Sequence, residues 1–318
     1  MQKEAQKEWL VIVNPNAGKR KGKKDWPEIS SLLRKHGLPF TAVFTTGRHH
    51  AIRIAKDQIE KGYRNLIVVG GDGTMNEVIN GVFLQQAVPT EEITVGMITV
   101  GTGNDWGRMF RIPRNYEDAI RTIAASRTFI QDAGVVNYFN DSIEQKRYFI
   151  NMAGIGFDAY VVKRSNQLKD KGRSGTFLYL YNIFTSLFRY RHSHASVDVD
   201  GQQIKDSIFS ISIGIGKYCG GGMMQTPQAI ANDGLFDVTM IKKIGRINVI
   251  RSIGQLYNGR IIHHPRVATF KGRYISIDSE KMIHVEADGE SLGHTPFRFE
   301  IIPSAIRVIA GDTYEVAV

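Results

Sequence analysis

The sequence predicts an α/β domain on a parallel sheet, followed by a mainly antiparallel β domain. Three observations carry this. Short apolar runs alternate with helical periodicity up to about residue 128, a series of alternating strands follows, and glycine-rich turns close several of the early strands. At 318 residues the chain has room for two domains of ordinary size. The change of rhythm places the first at 1–132 and the second at 133–302, and a last strand after Pro303 fits either.

Taken in order, 9–13 is an unbroken apolar run and reads as a buried strand, followed by a loop over 14–24. Trp26, Ile29, Leu32 and Leu33 mark one face of a helix over 25–36, stopped by Gly37. A strand at 40–45 and a helix at 49–61 come next. The run 65–69 is another buried strand, with a turn at 70–73 and a helix from 74 to about 84. The pattern repeats with a strand at 93–99, a turn at 101–103, a short helix at 105–110 and a further helix at 115–126. From 129 onward strands dominate: 129–136, 147–152, 194–200, 207–213, 235–241, 266–270, 273–278, 283–287 and 297–302. Two helical stretches interrupt them, at 158–191 and 246–257.

The formal net charge of +10 points to acidic partners. In the first domain the excess is concentrated at Lys19, Arg20, Lys21, Lys23 and Lys24. One compact basic loop suits a polyphosphate better than a nucleic-acid groove, which shows long basic stripes with aromatics between them. No run of about 18 apolar residues exists, so no membrane-spanning helix is expected. The polar N-terminus has no signal-peptide pattern. Cys219 is the sole cysteine, so no internal disulfide can form, and a reducing cytoplasm is the expected compartment.

The chemistry centres on Gly70, Gly71, Asp72, Gly73 and Thr74, between a buried strand and a helix carrying Asn76 and Glu77. Backbone N–H groups at such a junction form an anion site. A carboxylate among them makes sense if it holds a cation that phosphates share. A lone Gly-Asp-Gly is more often a tight turn with a helix cap. Here two further loops belong to the same predicted sheet edge: Asn14-Pro15-Asn16-Ala17-Gly18 and Gly101-Thr102-Gly103-Asn104-Asp105. Ligands of open α/β sheets bind at the carboxyl ends of strands, so the three loops would converge on one crevice. Neither a Gly-x-x-x-x-Gly-Lys-Ser/Thr nor a Gly-x-Gly-x-x-Gly run is present, so the cradle is of another kind.

The run from Val69 through Gly70-Gly71-Asp72-Gly73-Thr74-Met75-Asn76-Glu77 to Gly81 resembles the nucleotide-binding motif of the diacylglycerol kinase catalytic-domain family. That family takes in bacterial soluble lipid kinases and sphingosine and ceramide kinases, with NAD kinases further away. The loops at 14–18 and 101–105 match in order and spacing. Gly154-Ile155-Gly156-Phe157-Asp158-Ala159, Gly220-Gly221-Gly222-Met223, Asp233-Gly234-Leu235-Phe236-Asp237 and Asp288-Gly289-Glu290 match too. The resemblance implies an NAD kinase/diacylglycerol kinase-like fold: a nucleotide-binding α/β domain, a β-sandwich lipid-substrate domain, and a terminal strand at about 303–318 returning to the first. It implies an ATP- and Mg²⁺-dependent kinase that phosphorylates a hydroxyl of diacylglycerol or a related lipid alcohol. Asn14, Pro15, Asn16, Ala17, Gly18, Thr45, Gly70, Gly71, Asp72, Gly73, Thr74, Met75, Asn76 and Thr102 are implied to contact ATP. Asp72, Asp105 and Asp132 are implied to hold the catalytic Mg²⁺ through water. Ile230, Asp233 and Leu235 are implied to form a second, structural Mg²⁺ site. The proton acceptor is implied at Asp288 or Glu290, and the residues leave that choice open. The asparagine common before the Gly220–Gly222 loop in that family is missing; Ile215-Gly216-Lys217-Tyr218-Cys219 stands there.

His49 and His50 more readily begin a helix than bind metal, since neighbouring positions do not share a helix face. The expected partner is a lipid at the membrane surface, met peripherally; no nucleic acid is expected, and a homodimer stays open. Residues 169–191 suit the membrane contact: Lys169, Lys171 and Arg173 precede Phe177, Leu178, Leu180, Tyr181, Phe184, Leu187 and Phe188, with Arg189 and Arg191 after them. The commoner use of such a stretch is a helix packing its apolar face on its own domain. Two rivals remain: a kinase of a soluble substrate such as NAD, and a nucleotide-sensing, membrane-associated binding protein without turnover.

Overall fold

A computed structural model describes residues 6–101, 103–170, 176–312 and 314. Two compact units result, one of 1–133 with 303–318, the other of 134–302. In chain order the first unit holds β1 (Gln6–Val13), α1 (Ala17–Lys24), α2 (Trp26–Lys35), β2 (Phe40–Phe44), α3 (His50–Glu60), β3 (Tyr63–Gly70), α4 (Asp72–Leu84), β4 (Thr94–Thr99), α5 (Asp105–Met109) and α6 (Tyr116–Ala124). Then come β5 (Thr128–Asn140), β6 (Ile143–Phe149), β7 (Met152–Gly156), α7 (Phe157–Asp170), α8 (Thr176–Arg189), β8 (Ser193–Val199), β9 (Gln202–Gly214), β10 (Tyr218–Cys219), β11 (Met223–Met224), β12 (Phe236–Lys242), α9 (Arg246–Tyr257), β13 (Val267–Gly272), β14 (Tyr274–Ser279), β15 (His284–Ala287) and β16 (Glu290–Ile309).

The sheet of the first unit runs β2-β1-β3-β4-β16, each neighbouring pair parallel. Its strands are apolar on both faces because both faces are covered. Trp9, Val11, Val13, Ile67, Val69 and Ile98 pack with Ile29 and Leu33 of α2 and Ile120 and Ile123 of α6. Leu10, Ile12, Leu66 and Val68 point the other way and are fully buried on the side of α3 and α4. The expected loop over 14–24 is mostly helix α1, but with left-handed backbone at Gly18, Lys19 and Arg20. A Cβ on Gly18 would collide with the Val100 carbonyl oxygen, so only glycine permits this approach of loop to sheet end.

The second unit is an antiparallel sandwich. The order β13-β12-β9-β7-β15-β16 forms one run, and β8 and β14 join β9 to β16 on the other side. The long strands β9 and β16 serve both: Ser210–Gly214 face β7, while Gln202–Ile208 face β8. Phe149 and Phe236 stack at 5.8 Å in its core, and Phe297 and Phe299 are buried with them. Three expectations are corrected here. The final strand is no separate element, since β16 continues without a break through Pro296 and Pro303. Strand β7 was hidden by its glycines, which weaken any strand pattern. The helical stretch at 158–191 is two helices, α7 and α8.

Candidate active site

At the carboxyl edge of the first unit's sheet, the three loops meet. Asn14 Nδ2 donates to Thr74 Oγ1 at 2.9 Å, tying the loop after β1 to the first turn of α4. The Asn14 N–H reaches Val69 O and the Val100 N–H reaches Gly70 O, both at 2.9 Å. A Cβ on Gly101 would lie 2.7 Å from Gly71 Cα, so the two loops touch backbone to backbone. Thr45 closes the row beside β1, its N–H on Val13 O, and is buried. The first-turn N–H groups of a helix have no partner within it, and those of α4 begin at Asp72, directly after Gly71. A helix start of this kind offers N–H groups to an anion.

The carboxylates follow. Gly103 separates two of them: a Cβ there would lie 3.1 Å from Asp72 Oδ2 and 3.5 Å from Asp105 Oδ2. Asp72 Oδ1 accepts the Trp106 N–H at 3.2 Å, and Asp105 pairs with Arg108 at 3.0 Å. Asp132 sits on β5, almost fully buried, with Oδ1 accepting the Ser304 N–H at 2.7 Å. Among the described residues no three His, Cys, Asp or Glu side chains gather as direct metal ligands. Mg²⁺ does not require such a cage; it keeps waters and takes one or two carboxylates together with substrate phosphates. Asp72 and Asp105 fit that role. Asp233 does not fit a cation site as well, because its carboxylate already accepts the Leu235 N–H at 3.1 Å and pairs with Lys271 at 3.1 Å.

Asn76 lies fully buried in α4 and Asn80 donates to it. Pro15, Asn16, Ala17 and Met75 complete the loop and helix segments; Thr102 lies outside the described residues. Glu77 takes a different role, accepting the N–H groups of His49 at 2.9 Å and Ala51 at 3.1 Å at the start of α3. His50 Nδ1 accepts the Thr46 N–H, so the histidine pair builds the entry to that helix.

In the second unit, Asp288 occupies the turn between β15 and β16 with φ of +50°. Its carboxylate accepts N–H groups from Ile150 at 3.1 Å, Asn151 at 3.1 Å and Met152 at 3.0 Å. Glu290, the first residue of β16, is paired in register with Ala287 of β15. Sequence reasoning gave no role to two acidic side chains at this hairpin, Glu286 and Asp158. A Cβ on Gly154 would meet Glu286 Oε1 at 2.6 Å and Asp158 Cβ at 2.9 Å, so both flank that glycine. Burial pushes the Glu286 carboxyl well above its ordinary value, and the charges of Asp158, Asp288 and Glu290 add to this. Burial likewise raises Asp158 to about 7, against hydrogen bonds from Gln225 and Ser212. The signal in the sequence was a glutamate between Val285 and Ala287 on a strand buried on both sides.

These raised values have a measurable consequence. The unfolded chain releases these protons in the ordinary carboxylate range and the folded protein holds them longer. Stability is therefore fullest below about pH 4 as far as these groups are concerned, and falls as pH climbs toward 7. The slope reaches at most about 1.4 kcal/mol per pH unit for each group. Urea midpoints taken between pH 5 and 8 will decline in the parent protein and decline less in Asp158→Asn; parallel slopes would refute the buried-proton account.

Residues 8–136 match the family model described as the diacylglycerol kinase catalytic domain, and 151–310 match the YegS C-terminal NAD kinase beta sandwich-like domain. The chain belongs to the diacylglycerol kinase family. YtlR of Bacillus subtilis (strain 168) is 30% identical over 316 residues, covering 94% of this chain and 98% of its own. A diacylglycerol kinase of Staphylococcus carnosus (strain TM300) is 29% identical over 298 residues, covering 94% and 93%. In fold, a crystal structure of a Bacillus anthracis str. Sterne diacylglycerol kinase superposes with a TM-score of 0.71 at 22% identity, over 98% of each chain. The yeast NADH kinase complexed with NADH gives 0.53 at 11% identity, over 96% of this chain and 84% of that one. The α/β-plus-sandwich fold is thus that of the diacylglycerol and NAD kinases, and the chain is an enzyme of the lipid-kinase class, which uses a nucleotide as phosphate donor. No described helix is long and apolar enough to cross a membrane.

Proposed function

We propose that this protein transfers the γ-phosphoryl group of ATP to a hydroxyl of diacylglycerol or a related lipid alcohol, with Mg²⁺ as the metal. The observation that carries the donor half is the joining of three loops around Gly71 and Gly101, with Asp72 and Asp105 on either side of Gly103. The N–H groups at the start of α4 bind phosphate oxygens, and Asn14 fixes the Thr74 hydroxyl beside them. Asp72 and Asp105 are the residues that would hold Mg²⁺ through water. When bound, the metal neutralises the charge that builds on the transferred group. Asp288 or Glu290 accepts the hydroxyl proton, and Asp288 also fixes the backbone of 150–152. The acceptor half is supported by the relatives named as diacylglycerol kinases along nearly the whole chain.

A reaction mixture of radiolabelled ATP, Mg²⁺ and separate samples of diacylglycerol vesicles, NAD and simple sugars tests both halves. Label is expected in the lipid. Label confined to NAD or sugar would sink the acceptor assignment, and nucleotide binding without transfer to any of them would favour a sensor.

A further inference from the structure

We propose that α8 and α9 form one docking face that seats this protein on an anionic lipid bilayer. The proposal rests on the lipid-kinase reading above and extends it to a surface of the second unit. Both helices carry large apolar side chains on their outer face. In α8 the most deeply buried of the described positions are polar: Asn182 and Ser186 are 1% and 0% exposed. Asn182 Nδ2 donates to Val161 O at 3.0 Å and to Ser165 Oγ at 2.7 Å, and Arg164 donates to Ser186 Oγ at 3.2 Å. These bonds to α7 fix the helix rotation. They leave Tyr181, Phe184 and Phe188 outward at 59%, 52% and 48% exposure. Leu187 packs inward with Ile183 beside Phe157, Val161 and Phe209, so the described apolar residues of the helix divide between its own domain and solvent. The side chains of Lys169, Lys171, Arg173, Phe177, Leu178 and Leu180 lie outside the described residues.

In α9 the buried residue is Ser252, while Ile247, Ile250, Ile253 and Tyr257 face solvent. Arg246 joins the two helices: Nη2 donates to Phe188 O at 3.0 Å and its guanidinium lies 5.7 Å from the Phe188 ring centroid. An exposed apolar surface of this extent marks an interaction site. Charge selects the occupant. Residues 181–194 and 243–264 contain no aspartate or glutamate, yet carry Arg189, Arg191, Lys243, Arg246, Arg251 and Arg260. A second copy of the chain would bring the same uncompensated positive charge against this face. An anionic bilayer offers both an apolar interior for the isoleucines and aromatics and opposite charge for the rim.

Co-sedimentation with phosphatidylcholine vesicles, with and without phosphatidylglycerol, tests this. The parent protein is expected to bind the anionic vesicles, less so at high salt. The double variant Ile247→Ser/Ile250→Ser should lower partitioning by at least about tenfold, from the lost burial of two apolar side chains. Arg251→Glu should weaken binding only where phosphatidylglycerol is present. Both variants should phosphorylate a short-chain, detergent-dispersed diacylglycerol at the parent rate, which keeps this test separate from the catalytic one. If no preparation transfers phosphate but vesicle binding behaves as described, the docking face stands and the kinase assignment falls. Equal partitioning of parent and variants overturns the proposal, as does a parent dimer that the serine variants dissociate.

Discussion

Asp72→Asn will cut phosphoryl transfer by about 10²–10³-fold or more while the protein stays folded. The magnitude is that of removing one preorganised electrostatic group from a site where charge develops. The geometry says why the fold survives. An asparagine Oδ1 can still accept the Trp106 N–H, so the contact between the first turn of α4 and the start of α5 is kept. What is lost is the negative charge beside Asp105 across Gly103. Steady-state kcat, with circular dichroism as a check on folding, reads both effects. A folded variant keeping a tenth of the parent rate or more would refute the role given to Asp72. Added Mg²⁺ should rescue part of the loss if the metal is what the charge holds.

The second large effect separates the two acids of the β15–β16 hairpin. Asp288→Asn keeps one acceptor oxygen but turns an amide toward one of the three N–H groups now bonded. It should cost about 1–3 kcal/mol in stability as well as activity. Glu290→Gln should leave the unfolding midpoint unchanged. A general base contributes roughly 10²–10⁴ in rate. Whichever variant loses that factor, together with the acidic limb of the pH–rate profile, identifies the proton acceptor. Full rate in both variants would remove the hairpin from the chemistry.

Much of the first unit is legible in the sequence, because its strands are continuous apolar runs and its turns carry glycine where backbones touch. The meeting of Gly71 with Gly101 follows directly from two glycine turns on adjacent parallel strands. The behaviour of 17–24 could not be read, since a left-handed turn at Lys19 and Arg20 has no local signature. In the second unit β7 escaped notice because Gly154 and Gly156 break its pattern, though those glycines leave room for Glu286, Asp158 and the Tyr190 hydroxyl. Asp132 and Asp233 are singled out by family likeness and not by spacing. Their carboxylates are engaged by Ser304, and by Leu235 and Lys271, partners that no sequence spacing points to. The outward turn of α8 was equally hidden, because apolar periodicity defines a stripe and not the direction it faces; Asn182 and Ser186 set that direction.

The twenty-residue strand β16 has a consequence for how this protein is made. Its last residues, paired with β4 at Arg307 and Val308 and adding Ile309 to the core, complete a sheet whose other strands lie within the first hundred residues. During synthesis on the ribosome, β4 therefore waits with an unpaired edge while some two hundred further residues emerge. The nascent first unit is the stage at which this chain is most exposed to edge-to-edge aggregation and to proteases.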